Sequence, residues 1–96
     1  MKIFKFGGAS VKDADSVHNV YKVLQTIGYE DTLVVVSAMG KTTNALAEVV
    51  TSYFSDKKAI HSKTEEVRTY HHRIVRQLFE EHAEEVVSNV TVLFSL

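Results

Sequence analysis

Hydrophobic and polar positions alternate in two different periods along this chain, and the changes of period mark its elements. Residues 2–6 (KIFKF) form a short β-prone run in which Ile3, Phe4 and Phe6 are the apolar members. Gly7-Gly8-Ala9-Ser10 ends that run. From about Val11 to Ile27 the period changes to three and four. Val17, Val20, Tyr21, Leu24 and Ile27 make one apolar stripe, which predicts a helix. Ser10 or Asp13 is placed to cap its start, and Gly28 sits where a C-terminal glycine is expected. The continuous run TLVVV at 32–36 reads as a parallel strand buried on both faces. A small-residue loop, Ser37 to Lys41, follows. A helix is then predicted from about Thr43 to Phe54, with Leu46, Val49, Val50 and Tyr53 on one side.

The second half contains no glycine and reads as longer helix. Val67, Tyr70, Ile74, Leu78 and Phe79 form one stripe. Beyond Glu84, Val86, Val87, Val90, Leu93 and Phe94 keep helical spacing, although the β-branched residues there also admit a strand. The order strand, loop, helix, twice over, predicts an α/β layer of parallel strands with helices on both faces and a right-handed crossover. Two strands make an unusually small sheet. No stop signal precedes Leu96, so the chain reads as the N-terminal portion of a larger, truncated α/β domain spanning residues 1–96.

Composition narrows the function classes. The chain has 96 residues, of which 45% are hydrophobic and 24% charged, which excludes a disordered or low-complexity protein. Eleven basic against twelve acidic residues leave a formal net charge of -1, so no bulk field favours nucleic acid or an anionic membrane. Any anion site must be local. The absence of cysteine removes disulfides, thiolate metal sites and a thiol nucleophile. The longest apolar stretch, Leu33 to Met39, is too short for a bilayer, and the start MKIFKFGG lacks the long apolar core of a secretion signal.

Two loops carry candidate chemistry. In Lys5-Phe6-Gly7-Gly8-Ala9-Ser10, a strand runs into a glycine pair and then toward a helix start. Glycines let a backbone approach a ligand closely, and free N–H groups at such a turn bind anions. Lys5 could bring its ammonium to a phosphate held there, and Ser10 adds a hydroxyl. The alternative is an ordinary tight turn with a surface lysine. The second loop, Ser37 to Asn44, also follows a strand, and ligands of open parallel sheets bind at the carboxyl ends of strands. The two loops are therefore expected to be neighbours. Ser37 and Thr43 bracket the second loop with hydroxyls, although Thr42 or Thr43 could equally serve as a helix cap. Gly40-Lys41-Thr42 imitates the end of a Walker A loop, but that motif needs a glycine where Val35 stands, so a P-loop is rejected.

KFGGAS at 5–10 followed by VVVSAMGKTTN at 34–44 resembles the opening of the aspartate kinases, a branch of the amino-acid kinase (carbamate kinase-like) family. That family's pattern is K-[FY]-G-G-[TS]-S, then a strand followed by S-A-x-x-x-x-T-N. Ala9 departs from it by lacking a hydroxyl, and Lys41 falls where the family varies. The resemblance implies transfer of the ATP γ-phosphoryl group to the side-chain carboxylate of L-aspartate, the first step toward lysine, threonine and methionine. Lys5 would stabilise the transferring charge. Gly7, Gly8, Ala9 and Ser10 would line the phosphate site, and Ser37 and Thr43 would contact aspartate. Mg2+ would arrive with the nucleotide, and no metal site is expected in the chain. The resemblance also implies a cytoplasmic homo-oligomer whose complete catalytic domain is more than twice this length, so this piece alone is expected to be inactive. Two other readings stay open: a kinase of glutamate or N-acetylglutamate, and a non-catalytic fragment that oligomerises through residues 60–96.

Five histidines, at 18, 61, 71, 72 and 82, include no i, i+4 pair of the kind a helical zinc site needs. The doublets Glu65-Glu66, Glu80-Glu81 and Glu84-Glu85 read as solvated helix faces.

Overall fold

A computed structural model describes residues 1–95 as two compact units, Met1–Thr42 and Thr43 onward. The architecture is mixed α/β, with one two-stranded parallel sheet. β1 (Lys2–Phe6) and β2 (Thr32–Val36) pair in register from Lys2 opposite Thr32 to Phe6 opposite Val36. The ladder continues past both ends. Lys2 N donates to Asp31 O at 3.0 Å, and Ser37 N donates to Phe6 O at 2.9 Å. Alternation along β1 puts Phe4 and Phe6 on one face, their rings 6.3 Å apart, and Ile3 and Lys5 on the other.

Helix α1 (Ala14–Ile27) begins later than the expected start at about Val11. Gly8–Val11 instead forms a 3₁₀ turn, and Asp13 is the cap, its carboxylate accepting from Ser16 N at 2.8 Å. Gly28 closes the helix as expected. Its φ of 97° is the conformation that requires glycine, and its N–H donates to Leu24 O at 2.8 Å. Within this unit α1 packs chiefly on the 3₁₀ turn, and Val11 and Ala14 are buried there.

The expected double burial of β2 does not hold for this chain. Leu33, Val34, Val35 and Val36 are between 37% and 54% exposed. A β-branched run records what a strand can bury, but burial also requires elements stacked on both faces. The same is true of α2 (Thr42–Ser55), whose boundaries match expectation. Leu46, Val50 and Tyr53 on its apolar side are each at least half exposed, while its buried members are the polar Thr42 and Ser52.

The second unit is built on a helical hairpin. α3 (Ile60–Phe79) and α4 (Ala83–Ser95) are joined by a 3₁₀ turn at Glu80–His82 and pack on one another. Val67 and Ile74, seven apart on α3, meet Ala83 and Val87, four apart on α4, as the buried residues of the pair. The ambiguous segment after Glu84 is therefore helix. Packing on α3 overrides its β-branched composition. The expected α4 stripe is narrower than its spacing implied, since Leu93 is 67% exposed. Among the described residues, no helix is long and apolar enough to cross a membrane.

Candidate functional site

The glycine pair of the first loop is used asymmetrically. A Cβ at Gly8 would stand 2.6 Å from Gly40 O and 3.1 Å from Ala38 O, whereas one at Gly7 would meet nothing within 4 Å. Gly8 is therefore a close-approach glycine, and Gly7 faces open space. The approach is sealed by a hydrogen bond from Gly40 N to Gly8 O at 3.0 Å. The second loop reaches it by turning through Gly40 at a φ of 54°. Thr42 then closes the turn, with its N–H and its hydroxyl both donating to Met39 O, at 3.1 and 2.5 Å. The two loops are neighbours at the carboxyl ends of the parallel strands, as the sequence predicts.

This packing leaves donors unused. Among the described residues, the N–H groups of Gly7, Gly8 and Ala9 donate to no protein acceptor, while Ser10 N turns back to Gly7 O at 3.0 Å. Three successive free amides can hold an oxyanion. The start of α1 is a different case. Asp13 occupies its cap and Asp15 its first turn, so that helix end is already supplied with negative charge. The free amides thus belong to the glycine turn and not to the start of α1. Hydrogen bonds from Ser16, backbone first, hold the Asp13 carboxyl below its ordinary value.

Lys5 is exposed on the strand face opposite Phe4 and Phe6, and makes no hydrogen bond or ion pair among the described residues. Ala9 and Ser10 open onto a groove of about 630 Å³ on the Phe6 side of the turn. Lys12, Asp15, Ser16 and Asn19 supply its polar wall, and Val20 and Val23 its apolar one. Lys5 is not part of that wall. Sequence reasoning missed Lys12, Asp15, Ser16 and Asn19, although their spacing of three and four was available as a signal. They lie off the apolar stripe and so read as a solvated helix face. Ser37 is exposed, its backbone tied to Phe6. Thr43 is exposed in the first turn of α2 and opens the second unit, so the geometry of the first unit ends before it.

Among the described residues, no group of three or more His, Asp or Glu side chains is placed to hold a metal ion. A family model described as the amino acid kinase family matches residues 1–93. No curated protein matches the chain.

Proposed function

The chain belongs to the amino acid kinase family, and on that premise we propose that it serves ATP-dependent phosphorylation of the L-aspartate side-chain carboxylate. The observation that carries the proposal is the seating of Gly8 against Ala38 and Gly40. It gathers the amides of the first motif and the hydroxyl-bearing start of the second at one end of the sheet. In this reading the amides of Gly7, Gly8 and Ala9, with the Ser10 hydroxyl, hold phosphate oxygens, and the Lys5 ammonium offsets the charge that spreads over the transferring group. Ser37 and Thr43 orient the amino acid. A carboxylate oxygen forms the new bond to the γ-phosphorus as the bond to the β–γ bridging oxygen breaks, giving an acyl phosphate and ADP. The carboxylate is already ionised at neutral pH, so no base has to remove a proton. Magnesium enters as the complex of the triphosphate, and the proposal gives it no ligand from this chain.

Ser10 after the Gly-Gly-Ala triplet and the loop SAMGKTTN at 37–44 favour aspartate over glutamate or N-acetylglutamate as acceptor. The proposal takes residues 1–96 as the N-terminal portion of a catalytic domain and the full protein as a cytoplasmic homo-oligomer. Acyl phosphate formation, trapped as the hydroxamate, is measured on the full reading frame with the three acceptors. Turnover with L-aspartate alone is expected, and preference for either of the others would overturn the assignment. Lys5→Ala is expected to lower kcat by roughly 10²–10³, the scale of losing one charge-stabilising donor. On the present chain, Mg-ATP is expected to shift the Gly7, Gly8 and Ala9 amide resonances.

A further inference from the structure

The outer face of α3 carries a second concentration of cationic groups, remote in sequence from either glycine loop. Thr69, His72, Arg73 and Arg76 follow the spacing i, i+3, i+4, i+7, so they share one face of the helix. They line an open cleft of about 360 Å³. Their charges are unequally matched. Arg76 is paired with Glu84 from the start of α4, and Arg68, one turn back, is paired with Glu65 at 3.4 Å. Arg73 is exposed and has no ion-pair partner among the described residues. The cleft therefore holds one uncompensated guanidinium, a group suited to bidentate binding of an oxyanion.

His72 is half-buried beneath that arginine row, and its orientation is set by α4. Thr91 gives its hydroxyl proton to Val87 O at 2.7 Å, so the same oxygen is left to accept from His72 Nε2, 3.5 Å away. We assign the neutral ring its hydrogen on Nε2 from this contact, which leaves Nδ1 as the nitrogen that gains a proton on acidification. His71 next to it has a different role. Its Nδ1 donates to Val67 O at 2.8 Å, and its ring packs against Tyr70 and Phe94. We propose that the Thr69–His72–Arg73–Arg76 cleft is a binding site for a tetrahedral dianion of the sulfate or phosphate class, and that His72 takes up a proton when the anion binds.

The surrounding charges support this coupling. Burial first, then the Arg68 and Arg76 guanidinium groups, hold His72 below its ordinary value, with His71 adding in the same sense and Glu65 opposing. A bound dianion offsets the repulsion from both arginines and supplies an acceptor for the new Nδ1–H. By reciprocity, whatever the anion does to the proton affinity of His72, the proton does to the anion affinity of the cleft.

The test uses sulfate, which stays a dianion across the range in which histidine titrates. The His72 ring resonance is followed by NMR on this chain at increasing sulfate, with sodium chloride at matched ionic strength as the control. Sulfate is expected to raise the His72 midpoint saturably and to bind about tenfold tighter near pH 5.5 than near pH 7.5, as one added charge-assisted hydrogen bond implies. Arg73→Gln, a change at an exposed position, is expected to weaken sulfate by about tenfold while the helical circular dichroism is unchanged. A chloride control that moves His72 as far as sulfate does, or an Arg73→Gln chain that binds sulfate like the parent, overturns the site. Inorganic phosphate and ATP are titrated in parallel. Tighter binding of phosphate assigns the cleft to a free oxyanion, tighter binding of ATP assigns it to the phosphate of a nucleotide, and binding of neither refutes the proposal.

Discussion

Replacing Gly8 by alanine tests the contact on which the proposed site is built. A methyl group at that position would lie 2.6 Å from Gly40 O and 3.1 Å from Ala38 O. Both obstacles are backbone atoms, and neither can swing away as a side-chain tip does. The loops must separate by several tenths of an ångström, at a cost of about 1–3 kcal/mol for overpacking. Separation also weakens the 3.0 Å bond from Gly40 N to Gly8 O, worth about 1 kcal/mol. The expected loss is thus about 2–4 kcal/mol. Gly7→Ala is the internal control. Its φ of -77° and ψ of 176° suit any residue, and its Cβ meets nothing within 4 Å. There, alanine should stabilise by about 0.4–1 kcal/mol through the unfolded chain. The two variants, one residue apart and chemically identical, should therefore change stability in opposite directions. Urea unfolding followed by circular dichroism measures the difference, and native-state hydrogen exchange at the Gly40 amide locates it. Equal midpoints for the two variants, with Gly40 protection unchanged, would refute the packing argument and with it the juxtaposition of the two motifs.

Other outcomes follow from the same reasoning. Ile74 is only 2% exposed between α3 and α4, so Ile74→Val should destabilise the hairpin by about 0.5–1.5 kcal/mol, read by thermal melting. Glu80 ends α3 with a φ of 44°, a conformation that disfavours a side chain, and Glu80→Gly should stabilise by about 1 kcal/mol in the same melts. Acidification should act in two windows. The unfolded chain protonates His72 first, at its ordinary value of 6.5, so stability declines as pH falls below that value and levels off beneath the lower folded one. The contribution of Asp13 is fully present above the ordinary 3.8 and is lost as pH falls through its lower folded value. Stability measured against pH should lose the upper window in His72→Gln and the lower one in Asp13→Asn. Stability that rises on acidification from neutral pH to about 5 would contradict the His72 assignment.

The order of elements, the parallel pairing implied by it, the Asp13 and Gly28 caps and the two candidate loops were all readable from residue identity. Each depends on interactions within a few positions, or on glycine's freedom at Gly28 and Gly40, and such terms are local. Local terms misled only where two of them competed. The expected start of α1 at about Val11 was early, because periodicity does not register a 3₁₀ turn, and β-branching after Glu84 pointed toward a strand that packing on α3 made a helix. Three matters lay beyond any local pattern. The exposure of Leu33 to Val36 depends on what is stacked against the sheet. The different duties of Gly7 and Gly8 depend on where the carbonyls of Ala38 and Gly40 arrive, thirty residues further on. The grouping of Arg73 and His72 as the available cation and proton acceptor depends on Glu84 and Thr91 having engaged their neighbours from α4. Sequence neighbours set conformation, but burial, close approach and the balance of charge are properties of the space between segments, and only the folded chain defines that space.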